Sequence, residues 1–334
     1  MNIFVTGGAG FIGSNFIRRI INLHPDWKIT NFDKLTYAGN LENLKQLETN
    51  VNYHFIKGDI CDRATVERCI KTGFDAIINF AAESHVDRSI LDSSPFVDTN
   101  FKGTQVLLDI TYEHGIKRYL QVSTDEVYGS RKQGYFKESS SLDPSSPYSA
   151  CKAAADLLCL AYYKTHNLPV MITRCTNNYG PYQFPEKLIP LVITNALEDK
   201  PIPVYGDGLY RRDWIYVEDH CSALEAVLLK GKPGEIYNIA GGQEKTNLEL
   251  IRLILKIVGK PERLITYVKD RPAHDRRYAI DAAKILNELG WKPSFSYESS
   301  LKSTVDWYLQ NRAWWQRVKS EEYQEYYEKV YGGR

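Results

Sequence analysis

The chain is expected to fold as an α/β protein, a doubly wound parallel sheet followed by a smaller mixed α/β lobe. Three observations predict this. Short apolar, β-branched runs alternate with amphipathic helical stretches across brief polar turns, the pattern of strands covered on both faces. The first strand-to-helix turn is rich in glycine. Polar and acidic residues recur where the apolar runs end, and that is where an open α/β sheet places its ligands.

Bulk properties narrow the function classes. A chain of 334 residues can hold one large α/β domain with an annex. A formal net charge of +1, with no long like-charge run, gives no case for nucleic acid or a membrane surface as partner. No stretch is apolar enough to span a bilayer and the N-terminus enters a strand pattern directly, so a cytoplasmic protein is expected. The six cysteines, Cys61, Cys69, Cys151, Cys159, Cys175 and Cys221, form no C-x-x-C pair. Reduced, packed thiols are expected, and no metal site.

Asn2 to Thr6 reads as a short buried strand, and Phe11 to about Leu23 as the helix after it. Between them Gly8, Gly10 and Gly13 satisfy G-x-G-x-x-G, while Gly7, Gly10 and Gly13 satisfy the G-x-x-G-x-x-G variant. Such glycines allow a tight turn, let backbone N–H groups approach a diphosphate and let helix pack on strand. The helix N-terminus adds partial positive charge under the phosphates. The motif alone is weak; its place at the first strand, first turn and first helix makes it informative. A second strand, Lys28 to Phe32, ends on Asp33, twenty residues after Gly13. A carboxylate there accepts from ribose hydroxyls and repels a 2′-phosphate, which favours NAD over NADP; the adjacent Lys34 works slightly against this. Together these features describe a Rossmann-type dinucleotide site.

Val51 to Lys57 and Ala76 to Phe80 continue the strands. Asp62 is placed as a helix cap, and Ser94-Pro95 opens a long helix that carries Thr99 and Asn100. Tyr119 to Thr124 is a buried strand that stops on Thr124-Asp125-Glu126. Ser146 and Pro147 then open a helix to about His166, as N-cap and first helical residue. Tyr148 and Lys152, four apart, share one face of it. An ammonium beside a phenol is expected to lower the phenol pKa toward neutrality, which would make a base able to act on an alcohol. On an ordinary helix surface a Y-x-x-x-K pair means nothing; the nicotinamide site gives it weight.

Val170 to Arg174 is the next strand. Prolines at 181, 185, 190, 201 and 203 then loosen the pattern around a helix near Leu188 to Leu197. A strand at Arg211 to Val217, a helix at Glu218 to Leu229 and a strand at Ile236 to Ile239 are expected, then a helix capped by Thr246 or Asn247 and running to Val258. Two helices and an aromatic tail (Trp314, Trp315, Tyr323, Tyr326, Tyr327) close the chain. The domain division that follows is residues 1–176 for the dinucleotide domain, with strands returning from about 213–240. Residues 177–334 form the smaller lobe, interwoven with the first.

By Tyr148 the motifs resemble the extended short-chain dehydrogenase/reductase family, and within it the nucleotide-sugar dehydratases. The likeness covers Gly7 to Ser14, Asp33 to Asn40, Ala81 to Ser89, Thr124 to Gly129, Tyr148 to Lys152, Asn177 to Pro190, Arg211 to His220 and Asp270 to Tyr278. The glycine and Y-x-x-x-K motifs identify only the superfamily. Thr124-Asp125-Glu126, the Lys187-Leu188 segment and the Asp270 to Tyr278 run are far more specific. Cys151 stands where the family usually has Ser, and Ala273 where Gly is usual, which could stiffen the nucleotide loop.

The resemblance implies a redox-neutral hydro-lyase acting on dTDP-glucose: C4 oxidation by tightly bound NAD, loss of water across C5 and C6, and return of hydride to C6. The 4-keto-6-deoxy product belongs to deoxysugar nucleotide synthesis. It implies Thr124, Asp125, Glu126, Tyr148 and Lys152 as catalytic, with Glu126 removing the C5 proton and neutral Asp125 protonating the C6 hydroxyl. Two carboxyls with separated pKa values suit that division. Their bland reading is a solvated strand end.

Beyond the glycines, Asp33, Tyr148 and Lys152, the resemblance implies Phe11, Ile12, Lys34, Leu35 and Thr36 around the cofactor. Asp59, Ile60, Ala81, Ala82, Glu83, Ser84, Thr99 and Asn178 complete that set. The sugar nucleotide falls to His85, Thr124, Asn177, Lys187, Leu188, Pro203, Tyr205, Arg212, Asn247, Arg271 and His274, whose cations suit a diphosphate. His85 could equally be a packed histidine, and Arg211 and Arg276 surface ion pairs. A homodimer is implied through the helices near Ser94–Tyr112 and Pro147–His166. The competing readings are a UDP-sugar 4-epimerase or another nucleotide-sugar dehydratase, and a silent NAD-binding regulator. An epimerase has no elimination for Asp125 and Glu126 to catalyse.

Overall fold

A computed structural model describes residues 1–70, 73–272 and 274–319. Ala273 and the tail tyrosines Tyr323, Tyr326 and Tyr327 lie outside the described residues. β1 (Asn2–Thr6) and α1 (Phe11–Leu23) form the first unit, and α1 turns Phe16, Ile17 and Ile20 onto the sheet. β2 (Lys28–Asp33), β3 (Tyr53–Lys57), α2 (Arg63–Ile70), β4 (Ala76–Asn79), α3 (Val86–Leu91) and α4 (Ser94–Phe96) follow. α5 (Thr104–Glu113), β5 (Tyr119–Thr124), α6 (Pro147–His166) and β6 (Val170–Cys175) complete the first part. The second part holds β7 (Asn177–Tyr179), α7 (Leu188–Leu197), β8 (Ile202–Tyr205), β9 (Arg211–Tyr216), α8 (Val217–Lys230) and β10 (Ile236–Ile239). It ends with β11 (Glu244–Thr246), α9 (Asn247–Val258), β12 (Ile265–Val268), α10 (Ala283–Leu289), α11 (Tyr297–Gln310) and α12 (Arg312–Val318).

The main sheet has seven parallel strands in the order β3-β2-β1-β4-β5-β6-β10. Its order reverses between β1 and β4, which opens a crevice above their carboxyl ends. β5 and β6 are buried over their whole length, as strands covered on both faces must be. One apolar layer joins α1 and α8 to the sheet and another joins α2, α5 and α6 to its other face. A third core, around Tyr179, Val192, Trp214, Ile254 and Trp315, belongs to the smaller lobe.

Of the strands expected to return over 213–240, Ile236–Ile239 joins the main sheet. Arg211–Tyr216 instead pairs with β7 and β11 in a separate three-stranded sheet. Among the described residues three helices follow β12 where two were expected, and β8 pairs with β12 in a two-stranded sheet that the prolines concealed.

α6 begins as its sequence indicates: Ser146 and Ser149 form a reciprocal capping box around Pro147, and Asn167 ends the helix in the left-handed region. Asp62 caps α2, accepting from the Thr65 N–H at 3.2 Å. The helix opened at Ser94 is continuous to Glu113, but Val97–Gly103 is wound as a π-helix. Such wide turns cluster at functional sites. Here the turn carries Thr99 to the crevice and closes Gly103 on Ile60, where an added Cβ would lie 2.4 Å from the Ile60 side chain.

Candidate active site

The crevice has a backbone wall and a charged wall. The backbone wall starts at Gly7, whose φ of +68° is open to glycine, and a Cβ there would lie 2.5 Å from the Ala81 nitrogen. A Cβ on Gly13 would meet the Gly7 carbonyl at 2.5 Å. α1 therefore starts directly against β1 and β4, with no capping side chain over its first N–H groups. Asp33 is clamped by the Ala9 N–H at 2.9 Å and the Leu35 N–H at 2.8 Å; burial still raises its carboxyl. Leu35 contributes that N–H, and its side chain does not line the crevice.

Lys34, which the sequence set against Asp33, is held by Asp59 at 2.7 Å, so its charge is already matched. Asn100 pins the loop after β4 by bonding the N–H and carbonyl of Glu83, both at 2.9 Å. Phe11, Ile12, Thr36 and Ile60 line the crevice, and so do Ala81, Ala82, Ser84 and Asn178. A glycine cradle that a Cβ would fill and a clamped carboxylate twenty residues on fit a dinucleotide cofactor.

β5 delivers the reactive groups. Thr124 ends the strand, and its hydroxyl accepts from the Glu126 N–H at 3.2 Å, which starts the short turn Asp125–Tyr128. Asp125 is buried, and its Oδ2 has no hydrogen-bond partner among the described residues. Burial first, and then the Glu126 carboxylate, push the Asp125 carboxyl well above its ordinary range. Burial raises Glu126 too, but Arg271, Arg212 and Lys187 oppose it. Adjacent carboxyls thus sit in fields of different sign.

Tyr148 and Lys152 are both buried on the face of α6 turned to this turn, with the Thr124 hydroxyl beside the phenol and acting to lower its pKa. The expected lowering of the phenol pKa is not found. Burial, with the Glu126 carboxylate next, holds the phenol well above its ordinary value. The Lys152 ammonium points instead at the Val122 carbonyl, at 2.6 Å. Helical spacing sets which face two residues share, and not where a four-carbon side chain ends.

The charged wall comes from the second part of the chain. Lys187 donates to the Ser84 carbonyl at 2.7 Å and lines the crevice beside Asn177. Arg212 donates to the Asp275 carbonyl at 2.9 Å and lies over the Tyr278 ring at 4.3 Å. Arg271 faces Asp87 at 3.7 Å, and its buried Nε has no hydrogen-bond partner among the described residues. His274 binds Asp270 at 2.7 Å and stacks on Tyr210 at 3.7 Å; the Tyr210 carbonyl accepts the Asn247 N–H at 3.0 Å. Tyr205 reaches Asp87 at 3.4 Å.

Burial drives the His85 imidazole well below its ordinary pKa, and Lys187, Arg88 and Arg271 add to this, so it is a buried neutral ring. Leu188 and Pro203 stand at the start of α7 and on β8, and neither lines the crevice; nor do His85, Tyr205, Arg212, Asn247, Arg271 and His274, of which Arg212 and Arg271 reach it through their field on Glu126. Arg276 makes a surface pair with Asp207 at 2.8 Å.

Three supports gave no local signal. Glu186 accepts from Tyr37 at 3.0 Å and Arg88 at 3.3 Å, which ties the loop after β2 and helix α3 to the residue before Lys187. His220 holds the Asn178 side chain at 2.8 Å. Asp87 faces Arg271 from the opposite wall. Each joins segments distant in sequence, so only the fold brings them together. Among the described residues, no His, Cys, Asp or Glu group is arranged to hold a metal, and no helix is long and apolar enough to cross a membrane.

The comparisons with known proteins agree with this geometry. The sequence model of the GDP-mannose 4,6 dehydratase family matches residues 4–304. A dTDP-glucose 4,6-dehydratase of Streptomyces niveus is 51% identical over 324 residues, 96% of each chain. The structure of dTDP-glucose 4,6-dehydratase from Bacillus anthracis, solved with NAD, is similar at a TM-score of 0.90 and 53% identity, over 96% of this chain and all of that one. A UDP-glucose 4-epimerase of Thermotoga maritima shares the fold at a TM-score of 0.87 but only 29% identity, over 93% of this chain and all of that one. The chain belongs to the GDP-mannose 4,6-dehydratase family, and within it to the dTDP-glucose 4,6-dehydratases.

Proposed function

We propose that this chain is an NAD-dependent dTDP-glucose 4,6-dehydratase, converting dTDP-glucose to dTDP-4-keto-6-deoxyglucose and water. The observation that carries the reading is the Asp125–Glu126 pair: adjacent buried carboxyls, one held neutral and one under three cations. An epimerase on this fold has no use for that pair.

The Gly7–Gly13 turn, Asp33 and the π-wound helix would hold NAD, which when bound supplies the redox chemistry at C4 and C6 and is not consumed overall. Ionised Tyr148 takes the proton of the C4 hydroxyl, with Thr124 hydrogen-bonding the same oxygen. Lys152 favours that ionised form against the burial and the Glu126 charge that hold the resting phenol up. Once C4 is a ketone, the C5 proton is acidic, and Glu126 removes it. Asp125 gives its proton to the C6 hydroxyl, which leaves as water. Lys187, Arg212 and Arg271 offset the two diphosphate charges.

Exposed apolar residues on adjacent helices support a homodimer: Leu91, Val97 and Phe101 on the α3–α5 side and Leu157 on α6. A cytoplasmic location accords with six cysteines that form no C-x-x-C pair. Incubating the protein separately with dTDP-glucose and UDP-glucose, and assaying the 4-keto-6-deoxy product, tests the reading. Turnover of dTDP-glucose without added cofactor is expected. Epimerised sugar as the product would overturn it, and a monomer mass by light scattering would overturn the dimer.

A further inference from the structure

Tyr148, Lys152 and Asp156 recur every four residues along α6, and all three are buried against the sheet. Asp156 is fully enclosed, and its Oδ2 accepts from the Arg174 Nε of β6 at 2.8 Å. Arg174 is itself enclosed, and its guanidinium lies over the Tyr128 ring at 4.7 Å. Tyr128 is fixed in turn by its hydroxyl on Asn238 at 2.9 Å and by stacking on Phe136 at 5.2 Å. This pair touches neither wall of the crevice, and the reaction proposed above leaves it without a role. Burying two charges is costly, and a clamp between helix and strand needs no ions, since apolar packing does as well. A function for the charge is therefore worth seeking.

We propose that Asp156 and Arg174 are positioning residues for Lys152: the pair locks α6 to β6 and sets a fixed negative charge one helical turn beyond Lys152 on the same buried face. This rests on the catalytic reading of Lys152 given above. Lys152 has one described hydrogen-bond acceptor, the neutral Val122 carbonyl, and burial lowers its pKa. The charged and titratable groups around the Tyr148–Lys152 pair are Asp156 and Cys159 on α6, Arg174 and Cys175 on β6, and Asp125 and Glu126 after β5. Burial keeps both thiols neutral, Cys175 being pushed up to about 12, and Asp125 is held neutral as well. Burial favours the loss of the Lys152 proton, and the Asp156 carboxylate opposes it. Its second oxygen has no hydrogen-bond partner among the described residues, which leaves more of its charge to act on its surroundings.

The test is the pH profile of turnover by the holoenzyme. In Asp156→Asn, Lys152 loses its proton at lower pH, so the alkaline limb of kcat moves down by about one pH unit, a tenfold loss on that limb. KM for dTDP-glucose stays within about twofold, and Asp156→Glu restores the profile. Removing one partner of a buried pair strands the other charge. The double variant D156N/R174Q therefore covers the case in which Asp156→Asn does not fold, and it should show the same shift. A folded variant of either kind with the wild-type profile overturns the proposal, as does a loss of kcat with no pH dependence that glutamate cannot rescue. Lys152→Ala is assayed in parallel: if it is inactive while Asp156→Asn behaves as wild type, only this inference fails. If it retains full activity, the role given to Lys152 fails instead.

Discussion

The two walls of the crevice are built by different physics. The cofactor wall works by shape. Glycines at 7 and 13 let α1 close on β1 and β4, backbone N–H groups aim Asp33, and the one prominent cation, Lys34, is matched by Asp59. The charged wall works by charge. Lys187 and Arg271 arrive from separate loops and Arg212 from β9, and Arg271 keeps a buried donor unused. A wall of shape tolerates little change in volume, whereas a wall of charge tolerates volume and fails when a cation is lost. Between them stands the β5 turn, where both kinds of environment act on adjacent carboxyls.

The largest expected effect lies at this junction. Tyr148→Phe keeps the ring and its contact with Phe96 but removes the proton acceptor. Turnover should fall by about two to four orders of magnitude, the usual worth of a general base, with KM little changed. Steady-state kinetics on dTDP-glucose checks this; a large rise in KM would mean that Tyr148 belongs to the binding wall.

Next in size is Arg271→Gln. Losing a charged hydrogen bond of about 1.5–3 kcal/mol should weaken sugar-nucleotide binding by roughly 10- to 150-fold and leave NAD content unchanged. Titrating dTDP and quantifying released NAD on the same sample separates the walls. A parallel loss of NAD would show that they are not independent.

A smaller effect concerns stability. Asp125 has a folded pKa well above its unfolded value, so its contribution to stability is fully present below the unfolded value and is lost as pH rises from there through the folded value. Asp125→Asn removes this penalty and should raise Tm, by more at pH 8 than at pH 5, while activity collapses. A lower Tm at pH 8 would mean that the carboxylate is satisfied in the folded protein.

The same contrast explains what the sequence disclosed. The cofactor wall was legible because its parts are local: a glycine turn and an acid at the next strand end lie within short windows, as does the Ser146 N-cap that starts α6. The charged wall became legible only through resemblance, because Lys187, Arg212 and Arg271 carry no periodicity that groups them. Glu186 with Tyr37 and Arg88, and His220 with Asn178, escaped notice for that reason. The Tyr148–Lys152 reading had the right helix face, but burial and Glu126 hold the phenol up, and nothing in a four-residue spacing reveals that the ammonium ends on the Val122 carbonyl. The π-wound stretch from Val97 was hidden too, because its residues suit an α-helix equally well.

The division of labour between Asp125 and Glu126 is the central claim, and Glu126→Gln tests it most directly. The change keeps size and hydrogen-bonding shape, removes the base for C5 and leaves Tyr148, Lys152 and the cofactor wall in place. On adding dTDP-glucose to the holoenzyme, the near-ultraviolet absorbance of reduced nicotinamide should rise and persist, while product formation falls by about two to four orders of magnitude. Turnover near the wild-type rate, with no lasting absorbance, would contradict the account.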